Sequence, residues 1–124
     1  MLRSLVLLLL LGVLPSCSSV VLSEAPVEVR VVNASAVSFD RVVIGFPRQK
    51  EDYGTLAARA QSDYRAVAEA YGYAYVEVHR AGERLVLQPI DYVGERLLAS
   101  GRYTYVLDLD ASGQGLTLTL ERDE

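Results

Sequence analysis

Beyond residue 26 apolar and polar side chains alternate with a period of two. Val27, Val29 and Val31 alternate with Glu28 and Arg30, and Leu116, Leu118 and Leu120 alternate with Thr117 and Thr119. A period of two places successive side chains on opposite faces of a sheet, so each segment predicts a strand with one dry and one wet face. Phe39–Phe46 is rich in β-branched residues. Ala74, Val76 and Val78 alternate with Tyr75, Glu77 and His79, and Tyr103–Asp110 alternates aromatic or aliphatic residues with Thr and Asp. Turn-forming residues separate the runs. Arg80-Ala81-Gly82-Glu83 lies between Tyr73–His79 and Arg84–Gln88, whose Leu85 and Leu87 share a face, and this predicts a hairpin. Ser112-Gly113-Gln114-Gly115 joins the last two strands in the same way. Short strands punctuated by turns predict an all-β fold, a small antiparallel sandwich with hairpins at its ends.

One stretch breaks the period. Leu56, Ala60, Tyr64, Val67 and Tyr71 recur at spacings of four, four, three and four, which is a helical stripe. Ser62-Asp63-Tyr64 equally suits the start of a strand, so residues 56–71 are open between one short helix and a strand. Asn33-Ala34-Ser35 matches a glycosylation acceptor, but Asn and Ser side chains also bond local backbone, and here they are expected to close the first strand. Asp52-Tyr53-Gly54 and Asp91-Tyr92-Val93-Gly94 echo one another and read as two turns. Gly101-Arg102-Tyr103-Thr104-Tyr105 resembles the glycine-then-tyrosine start of a late strand in immunoglobulin-like and transthyretin-like sandwiches. That resemblance implies a tyrosine hydroxyl bonded to upstream backbone, and it bears on architecture alone.

The first residues follow a different logic. Arg3 precedes an apolar run from Leu5 to Leu14, interrupted only by Gly12 and ended by Pro15 and Ser16. A positive start and a short apolar run form the layout of a secretory signal; a membrane span needs about 20 apolar residues. The run stops at Leu14-Pro15-Ser16-Cys17, which resembles the lipobox of bacterial lipoprotein precursors in its leucine three residues before the cysteine and its small residue just before it. Pro15 departs from that pattern. The resemblance implies cleavage after Ser16, a diacylglycerol on the Cys17 sulfur and an acylated new N-terminus. The partner would then be a membrane, reached through the N-terminal lipid, in a bacterial cell envelope. Ser18 stands where an aspartate would favour inner-membrane retention, which leans towards the outer membrane, facing the periplasm, in a Gram-negative cell. The expected organisation is a signal peptide at 1–16, a tether at 17–26 and a β-sandwich domain at 27–124.

Composition narrows the chemistry. The chain has 124 residues with 16 acids against 12 Lys and Arg, a net charge of −4 that becomes −5 once Arg3 is removed with the signal. That balance argues against nucleic acid as a partner. Cys17 is the only cysteine and His79 the only histidine, so a disulfide within the domain and a transition-metal cluster are both outside its reach. No cofactor is implied. His79 and Glu77 share a strand face without a catalytic third partner, and Asp108 and Asp110 lack the spacing of a calcium loop. Tyrosine, with eight copies, carries most of the aromatic surface. With Ala74, Val76 and Val78 inward, Tyr73 and Tyr75 turn outward, near the Asp91-Tyr92 loop. These four residues form the candidate binding surface, since tyrosines supply rigid amphipathic contact area. The sequence therefore points to a non-enzymatic binding or assembly module of the envelope, with an envelope protein as one partner. The alternative is a small periplasmic enzyme or ligand carrier using the Tyr/Asp surface.

Overall fold

The computed structural model describes residues 12, 26–90 and 96–124. The expected signal peptide, Cys17, the tether before Pro26, and Asp91 and Tyr92 lie outside the described residues. Eight strands follow in order: β1 (Val27–Asn33), β2 (Phe39–Gly45), β3 (Lys50–Leu56), β4 (Arg65–Val67), β5 (Tyr75–Arg80), β6 (Glu83–Leu87), β7 (Gly101–Leu109) and β8 (Leu116–Arg122). They form two four-stranded sheets, β4-β1-β7-β8 and β3-β2-β5-β6. The fold is an all-β sandwich, as the alternation predicts. All pairings are antiparallel except β1 with β7, which run parallel from Val27↔Gly101 to Asn33↔Leu107.

The alternating residues meet between the sheets. Val29 and Val31 from β1, Phe39, Val42 and Ile44 from β2, Val76 and Val78 from β5, and Tyr105 and Leu107 from β7 are fully buried. β-branched residues suit this place because a stiff χ1 loses little on a pleated surface. Phe46 and Tyr105 stack across the core with ring centroids 5.9 Å apart.

No described residue between 56 and 71 is helical. Leu56 ends β3, Gln61 makes an isolated bridge to Val32, and Arg65–Val67 is the short edge strand β4. The helical stripe is broken at Arg59, whose φ of 65° leaves the right-handed region. Asp52-Tyr53-Gly54 is not a turn. It lies within β3, where the register against β2 slips between Val42↔Gly54 and Val43↔Asp52. Gly54, at φ 71°, and its N–H donating to Asp52 Oδ1 at 2.9 Å make this a bulge, so turn-forming residues here bend a strand instead of ending it.

Both predicted hairpins form. Arg80↔Glu83 closes a two-residue loop of Ala81 and Gly82, each at positive φ (45° and 78°), the backbone of a type I′ turn. Between β7 and β8 the Asp110 N–H donates to the Gly115 carbonyl at 2.9 Å. Asn33 and Ser35 close β1 as expected and go further. The fully buried Asn33 donates through Nδ2 to the carbonyls of Val37 (2.7 Å), Leu56 (3.1 Å) and Ala57 (3.2 Å). Its Oδ1 accepts from the Ser35 N–H (3.0 Å) and hydroxyl (2.6 Å). Both tyrosines of the late strand bond upstream backbone: Tyr103 to the Ala99 carbonyl at 2.7 Å and Tyr105 to that of Tyr71 at 2.5 Å.

The connectivity gives the sandwich two unlike ends. Pro26 leads into β1 beside Val67, Gly101 and Arg122. The chain crosses sheets at the far end after Asn33 and returns along β2, so Gly45, Lys50, Tyr75 and Leu87 lie at the same end as Pro26. The far end holds the β5–β6 and β7–β8 hairpins, tied by Arg80 donating to the Gly113 carbonyl at 2.5 Å.

Candidate functional site

The outer face of the β3-β2-β5-β6 sheet is organised in rows set by register. The row nearest the Pro26 end runs Lys50, Gly45, Tyr75. The next runs Asp52, Val43, Glu77, Val86, and the third contains Arg41, His79 and Arg84. The second and third rows neutralise each other. Arg41 reaches Asp52 at 2.9 Å, Arg84 bonds Glu77, and His79 Nε2 lies 3.6 Å from Glu77. The Arg84 bond and charge hold the Glu77 carboxyl below its usual range, and the Gly54 N–H together with Arg41 does the same for Asp52. Glu77 and His79 do share a face, as the alternation indicates, but Glu77 is committed to Arg84. Among the described residues no three His, Cys, Asp or Glu side chains are grouped to hold a metal.

The first row opens into a cleft of about 450 Å³ at the Pro26 end. Phe46 and Gly45 line it from β2 and the turn beyond, Lys50 from β3, and Tyr71, Tyr73 and Tyr75 from the segment entering β5. Gln88 and Pro47 complete the rim. Alternation places Tyr73 and Tyr75 here, because Ala74, Val76 and Val78 are buried on the opposite side. Tyr71 and Tyr73 stack at 6.1 Å with rings 26° apart. Tyr71 is fixed from below, since its carbonyl receives the Tyr105 hydroxyl. Burial raises the Tyr105 hydroxyl well above the ordinary tyrosine range, so it stays a donor. The Tyr75 hydroxyl accepts from Arg84 at 3.2 Å, and its ring lies beneath the Lys50 ammonium at 5.6 Å from the centroid.

Two of the expected surface residues, Tyr73 and Tyr75, are therefore brought together in one concavity. Lys50, Gly45 and Tyr71 belong to it as well and were not singled out by sequence. Only register shows that Lys50 and Tyr75 flank the same glycine, and period-two patterning carries no register between distant strands.

A second aromatic centre sits on the outer face of the other sheet and is structural. The Tyr64 ring is packed by Arg30 at 4.9 Å and Arg102 at 5.0 Å, and its hydroxyl donates to Asp123 at 2.6 Å. Thr104 donates to the same Asp123 oxygen at 2.6 Å and receives Arg30 Nε at 2.8 Å. Arg102 also bonds Glu28 at 2.7 Å. The side chains of this cluster bond one another, which suits it to clamp Tyr64 across β1, β7 and the C-terminus.

Neither a protein-family model nor a curated protein matches the chain. Among solved structures, an NMR structure of a protein from Eubacterium rectale is similar at a TM-score of 0.57 and 11% identity, over 80% of this chain and 91% of that one. At that identity the likeness is one of fold alone.

Proposed function

We propose that this protein is a lipid-anchored, non-enzymatic binding module of the bacterial cell envelope, held at the membrane through Cys17 and binding through its tyrosine-lined cleft. The observation that carries the reading is the position of the cleft at the end of the sandwich where Pro26 enters β1. From Cys17 to Val27 is ten residues, a reach of at most roughly 35 Å when extended. A cleft at that end stays close to whatever surface holds the lipid. Arg3, the Leu5–Leu14 run and the lipobox-like Leu14-Pro15-Ser16-Cys17 support the anchor. Each buried methylene of an acyl chain adds roughly 0.8 kcal/mol, so several chains hold a small domain firmly.

The cleft supports binding over chemistry. Its polar groups are an ammonium, an amide and tyrosine hydroxyls around aromatic walls, a set that orients a ligand. Its volume falls within the roughly 300–1,000 Å³ of small-molecule sites, and its concavity favours a held ligand over a flat assembly contact. The test is expression in a bacterium with lipoprotein-processing enzymes. The protein is expected with membranes, lacking residues 1–16 and carrying labelled fatty acid, and Cys17→Ser is expected to abolish the label. Capture from its own envelope should retain material that Tyr73→Ala releases. An unmodified Cys17 thiol on the native protein would defeat the anchor. Capture indifferent to Tyr73→Ala would defeat the cleft.

A further inference from the structure

Lys50 is the only lysine of the chain. The arginines near it are matched by acids: Arg41 with Asp52, Arg84 with Glu77, Arg65 with Glu51 at 3.2 Å, and Arg48 with Glu69 at 3.4 Å. Among the described residues, no carboxylate lies within 4.0 Å of the Lys50 ammonium. It rests on the π-face of Tyr75 instead. That contact leaves the N–H donors that face away from the ring open to an acceptor.

Gly45 makes this arrangement possible. It pairs with Lys50 on one side and Tyr75 on the other, and a Cβ there would lie only 3.1 Å from the Tyr75 Cβ. With no side chain between them, the lysine and the tyrosine meet over bare backbone. One cation therefore stands at the mouth of a cleft whose walls, Phe46, Tyr71, Tyr73 and Tyr75, are aromatic. A single positive charge suits a monoanion, and aromatic walls suit a body that gives up its water on contact.

We infer that the cleft takes a small organic carboxylate with an apolar or aromatic body, its carboxylate on Lys50 and its body against the tyrosines. This rests on the cleft being the binding site. Because the chain has one lysine, isotope-labelled lysine in the full-length protein gives one side-chain signal, that of Lys50. The protein in lipid nanodiscs would be titrated with N-acetyl-L-phenylalanine, with its neutral amide, and with glucuronate as a carboxylate lacking an apolar body.

The expected result is a saturable shift of the Lys50 signal with the acid, with the amide and glucuronate each binding at least about tenfold more weakly. By calorimetry, Lys50→Gln should erase the preference of acid over amide and Lys50→Arg should keep it. Equal binding of acid and amide would overturn the inference and leave the cleft a binding site for another class. Glucuronate binding as tightly as the acid would overturn the apolar body. No saturable shift with the acid at millimolar concentration would overturn the inference outright, while envelope capture with Tyr73→Ala decides separately on the cleft itself.

Discussion

Replacing Asn33 is the sharpest test of what holds the far end of the sandwich together. Its side chain is fully buried and serves five partners: three carbonyls, from the loop after β1 and from the end of β3 and the residue beyond it, and the N–H and hydroxyl of Ser35. In Asn33→Ala the carbonyls of Val37, Leu56 and Ala57 lose a common donor and Ser35 loses its acceptor. At about 1 kcal/mol net per bond, with some of the weaker ones regained through water, the loss is about 3 kcal/mol. For a domain of this size that lowers Tm by on the order of 15 °C. Asn33→Asp separates hydrogen bonding from shape. A carboxylate facing three carbonyls is disfavoured, so the folded-state pKa of the new acid rises above its unfolded value of about 3.9. Stability relative to the parent is then best retained below that unfolded value and is lost as pH rises through the folded pKa, at up to about 1.4 kcal/mol per pH unit. Urea denaturation of parent and both variants between pH 4 and 8 reads this directly. An Asn33→Ala loss below 1 kcal/mol, or an Asn33→Asp difference that is flat in pH, would refute the role given to this side chain.

Three further outcomes are expected. Ala81→Gly should stabilise the fold by about 0.5 to 1 kcal/mol, because Ala81 holds φ 45° in a two-residue turn where a Cβ is strained; urea midpoints unchanged or lowered would contradict the turn assignment. Burial of Asp123 would raise its pKa, but the Thr104 and Tyr64 hydroxyls and Arg30 outweigh it and lower the pKa. Its contribution is therefore present above the unfolded carboxylate value and is lost as pH falls through the depressed folded one. Asp123→Asn should cost about 1 to 2 kcal/mol at pH 7 and less at pH 3, and a pH-independent cost would show that charge plays no part. Tyr105→Phe removes the donor to the Tyr71 carbonyl and should cost about 1 to 2 kcal/mol, with faster amide exchange around Tyr71; unaltered exchange would mean that the cleft wall is held by other contacts.

The strands that the sequence shows are those whose alternation matches a single dry face. Val27–Val31, Ala74–Val78 and Leu116–Leu120 are of this kind, and their inward residues follow the pattern. β3 is hidden because its bulge at Tyr53 and Gly54 shifts the period midway and places turn-forming residues inside a strand. β4 is hidden because three residues carry too little pattern. The false helical stripe joins residues with separate duties: Leu56 and Val67 in the core, Tyr64 clamped on one outer face, and Tyr71 in the cleft. The cleft was half legible. Alternation turns Tyr73 and Tyr75 outward, whereas Lys50 and Gly45 join them only through cross-strand register, which depends on long-range pairing.

The parallel pairing of β1 with β7 sets when the protein can finish folding. Each β1 residue meets a β7 partner 74 positions later, as Arg30 meets Thr104, and β4, its other neighbour, is only three residues long. Contacts so distant in sequence incur a large loop-closure entropy before any pairing repays it. The sheet that contains the first strand therefore stays open until the chain has been made nearly to its C-terminus. At about 5–20 residues per second of synthesis, that leaves seconds in which the polypeptide is still threadable. Such a delay is what the export proposed for this chain calls for, since a polypeptide crosses a translocation pore unfolded.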